Sequence, residues 1–221
     1  MLHYGNWPEF LSLLEQLLKG TGTTLQVFAL TLLLSIPLGL LVALARMSSN
    51  ILLRVPTQIY ILIMRGTPLM LQIMFIYFAP SYIFENLNID RFPAAIIAFT
   101  LNYAAYFAEI FRGGIASIEK EQYEAAAVLG FTRVQTFFKI ILPQVIKRIL
   151  PATSNEVITL VKDTVLVQVI GVSELFKVAQ NSASRHFSTV PLIVAGLFYL
   201  IMNGVLTKVF HFIEGKLNYY R

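Results

Sequence analysis

Long apolar stretches of this sequence contain a few charged side chains, and three of these are of types that suit the binding of charged groups. Lys162 and Asp163 lie near the middle of one stretch, and Glu109 lies near the end of another. Carboxylates attract cations, whereas a lysine attracts anions. A charge within the hydrocarbon of a membrane needs compensation by a partner, by water or by a ligand, so these residues are candidates for a functional site.

The same residues have structural alternatives. Glu109 and Arg112 are three positions apart, which lets them pair on one face of a helix. Lys162 and Asp163 are adjacent, and adjacent helical residues point about 100° apart, so they face different neighbours. Either one of them faces a pathway, or the two together fasten helices or gate a pore.

The composition indicates a membrane protein. The 221 residues are 57% hydrophobic and 13% charged, whereas a soluble domain carries about 25% charged residues. The sequence has no cysteine, which excludes disulfides and thiolate metal sites. The histidines are too scattered to predict a metal cluster, since they stand at His3, His186 and His211.

Five apolar stretches are long enough to cross the hydrocarbon as helices, which takes about 20 residues each. They are residues 25–44, 66–84, 92–111, 149–173 and 187–207. The fourth is the least apolar because it contains Glu156, Lys162 and Asp163. Residues 55–64 form a shorter apolar segment that either extends the second span or packs at its inner end. The sequence thus predicts an all-α integral membrane protein with five transmembrane helices.

The lysines and arginines predict the orientation, because they concentrate in cytoplasmic loops. With the N-terminus outside, twelve of the 17 Lys and Arg residues lie on the inner side and four on the outer side. Without the fourth span, Lys208, Lys216 and Arg221 would move outside and weaken this bias. We therefore expect a cytoplasmic C-terminus, and the net charge of +5 requires no nucleic acid partner.

The first 20 residues predict a short amphipathic helix that precedes a transmembrane domain of residues 21–221. Leu13 and Leu17 recur at helical spacing, and Gly20 suits the end of a helix. We expect this helix to lie in the membrane interface.

The longest loop, residues 113–148, is cytoplasmic in this topology. Residues 118–129 are rich in glutamate and alanine and predict a helix that Gly130 ends. Thr132 begins a capping box for a second helix, which we expect to run as far as Pro143. The loop therefore predicts a helix–turn–helix pair at the inner face of the membrane.

This loop resembles the cytoplasmic signature of the permease subunits of ATP-binding-cassette (ABC) importers. The signature is Glu-Ala-Ala, three residues, Gly, nine residues, and Ile-x-Leu-Pro. Its fixed positions are matched here by Glu124, Ala125, Ala126, Gly130, Ile140, Leu142 and Pro143. In that family the segment docks in a groove of a separate ATPase, so the resemblance implies that these residues couple the chain to ATP hydrolysis. The sequence itself contains no G-x-x-x-x-G-K-[S/T] phosphate-binding loop.

Three further segments resemble the polar amino-acid branch of these permeases, namely residues 65–69, 104–112 and 162–164. The resemblance covers residues 20–215 or so and implies import of an amino acid of the histidine, glutamine, arginine or cystine type. An amino acid needs acceptors for its ammonium group and donors for its carboxylate. The candidate substrate-pathway residues are Arg65, Thr67, Asn102, Glu109, Lys162 and Asp163.

The resemblance also implies an assembly in the cell (plasma or inner) membrane. The expected partners are two copies of an ABC ATPase, a second permease subunit that is identical or paralogous, an extracytoplasmic amino-acid-binding protein and the lipid bilayer. The chain is expected to be a transport subunit without enzymatic activity or cofactor, with ATP and magnesium bound to the ATPase.

The sequence disfavours two other classes of protein. An intramembrane enzyme would need a nucleophile–base pair or a metal cluster at membrane depth, and the spans show neither. An uncoupled channel or structural membrane subunit would have no use for the coupling signature.

Overall fold

The computed structural model describes residues 7–84 and 87–217, and the elements in this part are helices. His3, Arg221 and the first six residues of the predicted N-terminal helix lie outside it. The helices are α1 (Trp7–Met47), α2 (Ile51–Gly66), α3 (Leu69–Ile83), α4 (Arg91–Ala116), α5 (Lys120–Val128), α6 (Arg133–Thr136), α7 (Leu142–Asp163), α8 (Leu175–His186) and α9 (Val190–Leu217). A π-helical turn, Phe137–Ile141, joins α6 to α7, and a 3₁₀ helix, Thr164–Ile170, follows α7.

Of the described helices, α1, α4 and α9 are each long and apolar enough to cross a membrane. Helices α2 and α3 pass the same test only together, and they are bent by 110° at their junction, as in a broken span or a re-entrant loop. The predicted fourth span is not one continuous α-helix, because α7 ends at Asp163 and the chain continues as a 3₁₀ helix. The helices agree with an all-α membrane protein, and the count of five spans stays a prediction.

The N-terminal segment belongs to one long helix, so the expectation of a short helix ending at Gly20 is wrong. Helix α1 passes through this position without interruption. Gly20 serves close packing instead, since a Cβ there would lie 3.0 Å from the Cα of Leu175. Leu13 and Leu17 are fully buried and pack against α8 and α9. Because this face is buried within the subunit, the helix is stable beyond the membrane crossing, and α1 has 41 residues where a crossing requires about 20.

The centre of the fold is α4, which packs along α1. Mostly small residues lie buried on α1 at four-residue intervals, at Val27, Thr31, Ser35, Gly39 and Ala43. Lipid tails are as apolar as the helices, so membrane helices associate through close packing of such small residues. This packing fixes the position of α4, which carries Asn102 and Tyr103.

Helix α8 packs against α1 and α9, and a buried carboxylate holds its first turn. Glu174 is fully buried and accepts hydrogen bonds from the backbone N–H groups of Phe176 and Lys177, at 2.8 and 2.7 Å. The hydroxyl of Tyr199 in α9 donates a third, at 2.8 Å. Glu174 therefore caps α8 and ties it to α9 at the same time.

Candidate functional site

The bend between α2 and α3 occurs at Thr67 and Pro68. The N–H of Thr67 donates a 3.1 Å hydrogen bond to the carbonyl of Ile63, at the end of α2. Pro68 disfavours the helical conformation for the residue before it, and Thr67 is extended at φ −120° and ψ 149°. The first N–H groups of α3 are therefore left without helical partners, and they stand at the positive end of that helix.

Two buried amide side chains hold this bend against α4. Gln72 donates hydrogen bonds to the carbonyl of Met64 at 3.0 Å and to Oγ1 of Thr67 at 2.8 Å. Asn102 donates to the same Met64 carbonyl at 2.9 Å and to Oε1 of Gln72 at 3.0 Å. Both N–H groups of Asn102 are thus engaged in supporting the bend.

A cavity of about 380 Å³ lies beside the bend, and we call it the acidic cavity. Its α7 wall is polar because Glu156, Thr159 and Asp163 follow one another at spacings of three and four residues, which places them on one helix face. The other lining residues are Thr67, Pro68, Leu69, Asn102, Tyr103, Tyr106 and Leu166. The volume of this cavity lies in the range of small-molecule binding sites, and its lining combines apolar residues with a few polar groups, as such sites do.

Two half-buried carboxylates give this cavity its negative charge. Asp163 accepts a 2.8 Å hydrogen bond from the hydroxyl of Tyr103. Glu156 is close enough to be repelled by Asp163 and attracted by Arg65. Across residues 7–84 and 87–217, no three His, Asp or Glu side chains are grouped so that they could hold a metal ion. Two carboxylates facing the N-terminus of α3 suit a ligand that carries both an ammonium group and a carboxylate.

The structure brings three of the six predicted pathway residues to this cavity, namely Thr67, Asn102 and Asp163. Lys162 does not line it and is exposed on the surface of the subunit. The divergence of Lys162 from Asp163 follows from the 100° rotation between adjacent residues of a helix.

The remaining two, Arg65 and Glu109, line a neighbouring cavity of about 500 Å³. The guanidinium carbon of Arg65 lies 5.2 Å from the centre of the Tyr106 ring, which itself lines the acidic cavity. Glu109 forms a salt bridge with Arg112, with 2.7 Å between Oε2 and Nη2. Glu109 therefore pairs with a residue of its own helix, which is the structural alternative expected from the spacing of Glu109 and Arg112.

Sequence reasoning did not select Glu156 as a pathway residue, although a signal was present. Glu156 and Asp163 are seven positions apart, which is about two helical turns, so their side chains lie on the same face of the helix. The choice of Asp163 as a pathway residue therefore also pointed to Glu156. Tyr103 and Tyr106 carried no comparable signal, because an aromatic residue in a span usually packs. The role of Gln72 depends on the bend between α2 and α3, which the hydropathy pattern does not reveal.

The predicted coupling segment forms a helical hairpin. Glu124 and Ala125 are exposed on α5, whereas Ala126 is buried within the subunit at 1% exposure, so its small size serves internal packing. Gly130 makes the turn at φ 77°, a conformation that residues with a Cβ disfavour. Thr132 then caps α6 through the predicted capping box.

The second helix of this hairpin does not end at Pro143, contrary to expectation. It continues through the π-helical turn into α7, where Pro143 occupies the first turn. The N–H of Leu142 bonds to the carbonyl of Phe137, five residues back, and this wider turn accommodates a residue that has no N–H to donate. A continuous run of helix therefore connects this hairpin to Asp163 in the acidic cavity.

The tip of the hairpin presents apolar side chains to the outside. Val128, Leu129, Val134 and Phe138 are 88%, 75%, 67% and 60% exposed. Exposed apolar residues gathered on one projecting element mark a surface for another protein.

The chain belongs to the family of binding-protein-dependent transport system inner membrane components, whose model matches residues 35–219. It is 39% identical over 204 residues to the L-cystine transport system permease protein TcyB of Bacillus subtilis (strain 168), covering 91% of this chain and 86% of that one. It is 36% identical over 213 residues to the glutamine transport system permease protein GlnP of Escherichia coli (strain K12), covering 96% and 97%. The arginine transport system permease protein ArtQ of Bacillus subtilis (strain 168) is 36% identical over 202 residues, covering 91% and 92%.

Solved structures agree with this family. A crystal structure of an amino acid ABC transporter with histidines matches with a TM-score of 0.87 and 32% identity, over 97% of this chain and 100% of that one. An inward-facing form of the MetNI methionine ABC transporter shares the fold, with a TM-score of 0.73 and 17% identity. The interpretation of this chain as the membrane permease subunit of an ABC importer is thereby confirmed.

Proposed function

We propose that this permease subunit imports a polar amino acid through the acidic cavity, driven by ATP that a separate ATPase hydrolyses. The observation that carries the proposal is the cavity itself, in which Glu156 and Asp163 face the N-terminus of α3. The carboxylates accept the ammonium group of the substrate, and the free N–H groups of α3 donate to its carboxylate. The names of the relatives, which are permeases for cystine, glutamine and arginine, support an amino acid as the substrate.

The charge of the cavity narrows the choice of side chain. One ammonium group requires one carboxylate, and the cavity holds two, Glu156 and Asp163. A second positive charge on the substrate compensates the second acid, so the cavity favours a basic amino acid over a neutral one.

The proposed orientation places the N-terminus outside and the C-terminus in the cytoplasm. The five crossings are α1, the bent pair of α2 and α3, α4, α7 with its 3₁₀ extension, and α9. The distribution of lysines and arginines supports this arrangement, since it leaves twelve of them inside and four outside. The hairpin of α5 and α6 then projects into the cytoplasm, where an ATPase can reach it.

Coupling to the ATPase is proposed to run through the hairpin and α7. The exposed side chains of Val128, Leu129, Val134 and Phe138 enter a groove of the ATPase, two copies of which serve two permease subunits. ATP and magnesium bind to the ATPase. Movement of the hairpin tilts α7 as a unit, which shifts Asp163 relative to α3 and α4.

A second permease subunit is proposed to complete the pathway. Lys162 is exposed. In the proposed orientation it lies within the fourth span, where a lysine requires a polar partner or water rather than lipid. A facing permease subunit, identical or paralogous, provides that environment and closes the pathway between the two chains. An extracytoplasmic amino-acid-binding protein delivers the substrate from the outer side.

Uptake by reconstituted vesicles tests the proposal. The permease is reconstituted with its ATPase and binding protein, and uptake of labelled L-arginine, L-glutamine and L-cystine is measured with and without ATP. We expect ATP-dependent uptake of at least one of them, lost in Asp163→Asn and kept in Asp90→Asn, an exposed aspartate outside the cavity. Normal uptake by a normally assembled Asp163→Asn variant would refute the assignment of the cavity.

A further inference from the structure

The neighbouring cavity of about 500 Å³ adjoins the acidic cavity at the bend between α2 and α3. Gly66 lines the neighbouring cavity and Thr67, the next residue, lines the acidic one. The stacked pair of Arg65 and Tyr106 likewise contributes one residue to each. The residues that line the neighbouring cavity are Arg46, Gln58, Ile61, Leu62, Arg65, Gly66 and Glu109.

This neighbouring cavity is cationic. Glu109 is already engaged by Arg112, whose Nε and Nη2 donate at 3.1 and 2.7 Å. Arg46 donates to the side-chain oxygen of Gln58 at 2.8 and 3.0 Å once that amide is oriented with its oxygen toward the guanidinium. Within residues 7–84 and 87–217, neither Arg46 nor Arg65 forms a salt bridge. Two guanidinium groups thus line the cavity without a carboxylate of their own.

We propose that this cationic cavity is a second binding site on the transport path, in which Arg46 and Arg65 bind the carboxylate of the amino acid after it leaves the acidic cavity. The inference rests on the proposed function. Guanidinium groups bind carboxylates through paired, charge-assisted hydrogen bonds. In the proposed orientation Arg46, in the last turn of α1, stands on the cytoplasmic side of Arg65.

The position of Arg65 supports an ordered passage between the two sites. Arg65 interacts electrostatically with Glu156 in the acidic cavity and with Glu109 in the cationic one. A substrate held by the two carboxylates of the acidic cavity therefore has the guanidinium of Arg65 beside it, on the side toward the cationic cavity. Release of Arg65 from its stack on Tyr106 connects the two cavities and frees the guanidinium for the carboxylate.

The absence of cysteine from the sequence allows a direct test by protection from alkylation. Leu62→Cys places a thiol in the cationic cavity, at a side chain that is 72% exposed. The complex of permease and ATPase in lipid nanodiscs is alkylated with N-ethylmaleimide in the presence of acetate or acetamide, and the modification is followed by the mass of the permease chain. At about three times its Kd a ligand slows alkylation about fourfold by mass action. We expect this slowing with acetate and none with acetamide.

Matched variants distinguish protection by binding in the cavity from general effects of salt on alkylation. Leu52→Cys lies on the same helix at 77% exposure, outside the lining, and should show no protection. Arg46→Gln combined with Leu62→Cys should abolish protection, whereas Arg54→Gln, an exposed arginine outside the lining, should keep it. Equal protection by acetamide or chloride, or protection by inorganic phosphate alone, would overturn the carboxylate site.

Uptake by the wild-type complex distinguishes failure of this inference from failure of the proposed function. If ATP-dependent amino-acid uptake is normal and acetate gives no protection, the second site is refuted and the acidic cavity stands. If no amino acid is taken up by the wild-type complex, the proposed function is refuted and the second site falls with it.

Discussion

The hydroxyl of Tyr103 donates a 2.8 Å hydrogen bond to Oδ2 of Asp163, which joins the middle of α4 to the last residue of α7. Helix α4 is the centre of the fold, and α7 continues from the hairpin of α5 and α6. In the proposed coupling, the bond lies where a movement of the hairpin reaches the acidic cavity.

Tyr103→Phe should lower uptake without preventing assembly. A hydrogen bond to a charged group contributes about 1.5–3 kcal/mol, and each 1.4 kcal/mol corresponds to a factor of about ten. We expect ATP-dependent uptake to fall about tenfold or more in vesicles. Tyr106→Phe is the matched control, since it keeps the ring beneath Arg65 and should change uptake less than about twofold. Equal effects of the two substitutions would contradict an orienting role for the Tyr103 hydroxyl.

Glu156→Gln should change the preference of the cavity among amino acids. Removal of one carboxylate weakens the binding of a second positive charge while leaving Asp163 to hold the ammonium group. We expect L-arginine binding to the purified permease–ATPase complex to weaken about tenfold, or about 1.4 kcal/mol, and L-glutamine binding to change little. Equilibrium dialysis measures both. Equal weakening for the two amino acids would show that Glu156 does not discriminate between their side chains.

The sequence predicted the helical class and the helix–turn–helix structure of residues 118–142 because both depend on local patterns. Hydropathy marks apolar stretches whatever they pack against, and the capping box at Thr132 lies within one turn. The long α1 and the continuation past Pro143 were missed, because each depends on contacts or turns that local patterns do not encode. Gly20 packs against Leu175, which is 155 positions away in sequence, and a π-helical turn precedes Pro143.

The candidate site was predictable where a residue's chemistry alone marks it. Asp163 stood out as an acid in a span, and the structure places it in the acidic cavity. Lys162 stood out equally, yet the structure leaves it exposed and outside the cavity. The sequence alone does not show which face of α7 turns inward. The pairing of Arg65 with Tyr106 joins α2 to α4, so no spacing along the chain predicts it.

Gly130→Val should weaken the attachment of the ATPase. Gly130 has φ 77°, and a left-handed conformation costs a residue with a Cβ about 1–2 kcal/mol. We expect less ATPase to co-purify and ATP hydrolysis to respond less to the loaded binding protein. Gly113→Val is the control, because Gly113 is helical, has open space around it and should tolerate the side chain. Full association and full stimulation in Gly130→Val would refute the role of this turn in coupling.

Glu174→Ala should destabilise the packing of α8 on α9. The substitution removes three hydrogen bonds and leaves the hydroxyl of Tyr199 without its acceptor, which costs about 1–3 kcal/mol and lowers the midpoint of thermal unfolding. Glu119→Ala provides a matched comparison, since Glu119 also precedes a helix but makes no capping hydrogen bond with its side chain. The two midpoints are measured in the same detergent, and equal values would contradict the role assigned to Glu174.

Blocking the acidic cavity tests the account most directly. Thr159 lies in its α7 wall between Glu156 and Asp163, and Thr159→Cys introduces a thiol there. ATP-dependent uptake of the transported amino acid is measured in vesicles before and after complete alkylation, with Leu52→Cys, on the surface of α2, as the control. We predict that alkylation stops uptake in Thr159→Cys and leaves it intact in Leu52→Cys. Full uptake by completely alkylated Thr159→Cys would contradict passage of the substrate through this cavity.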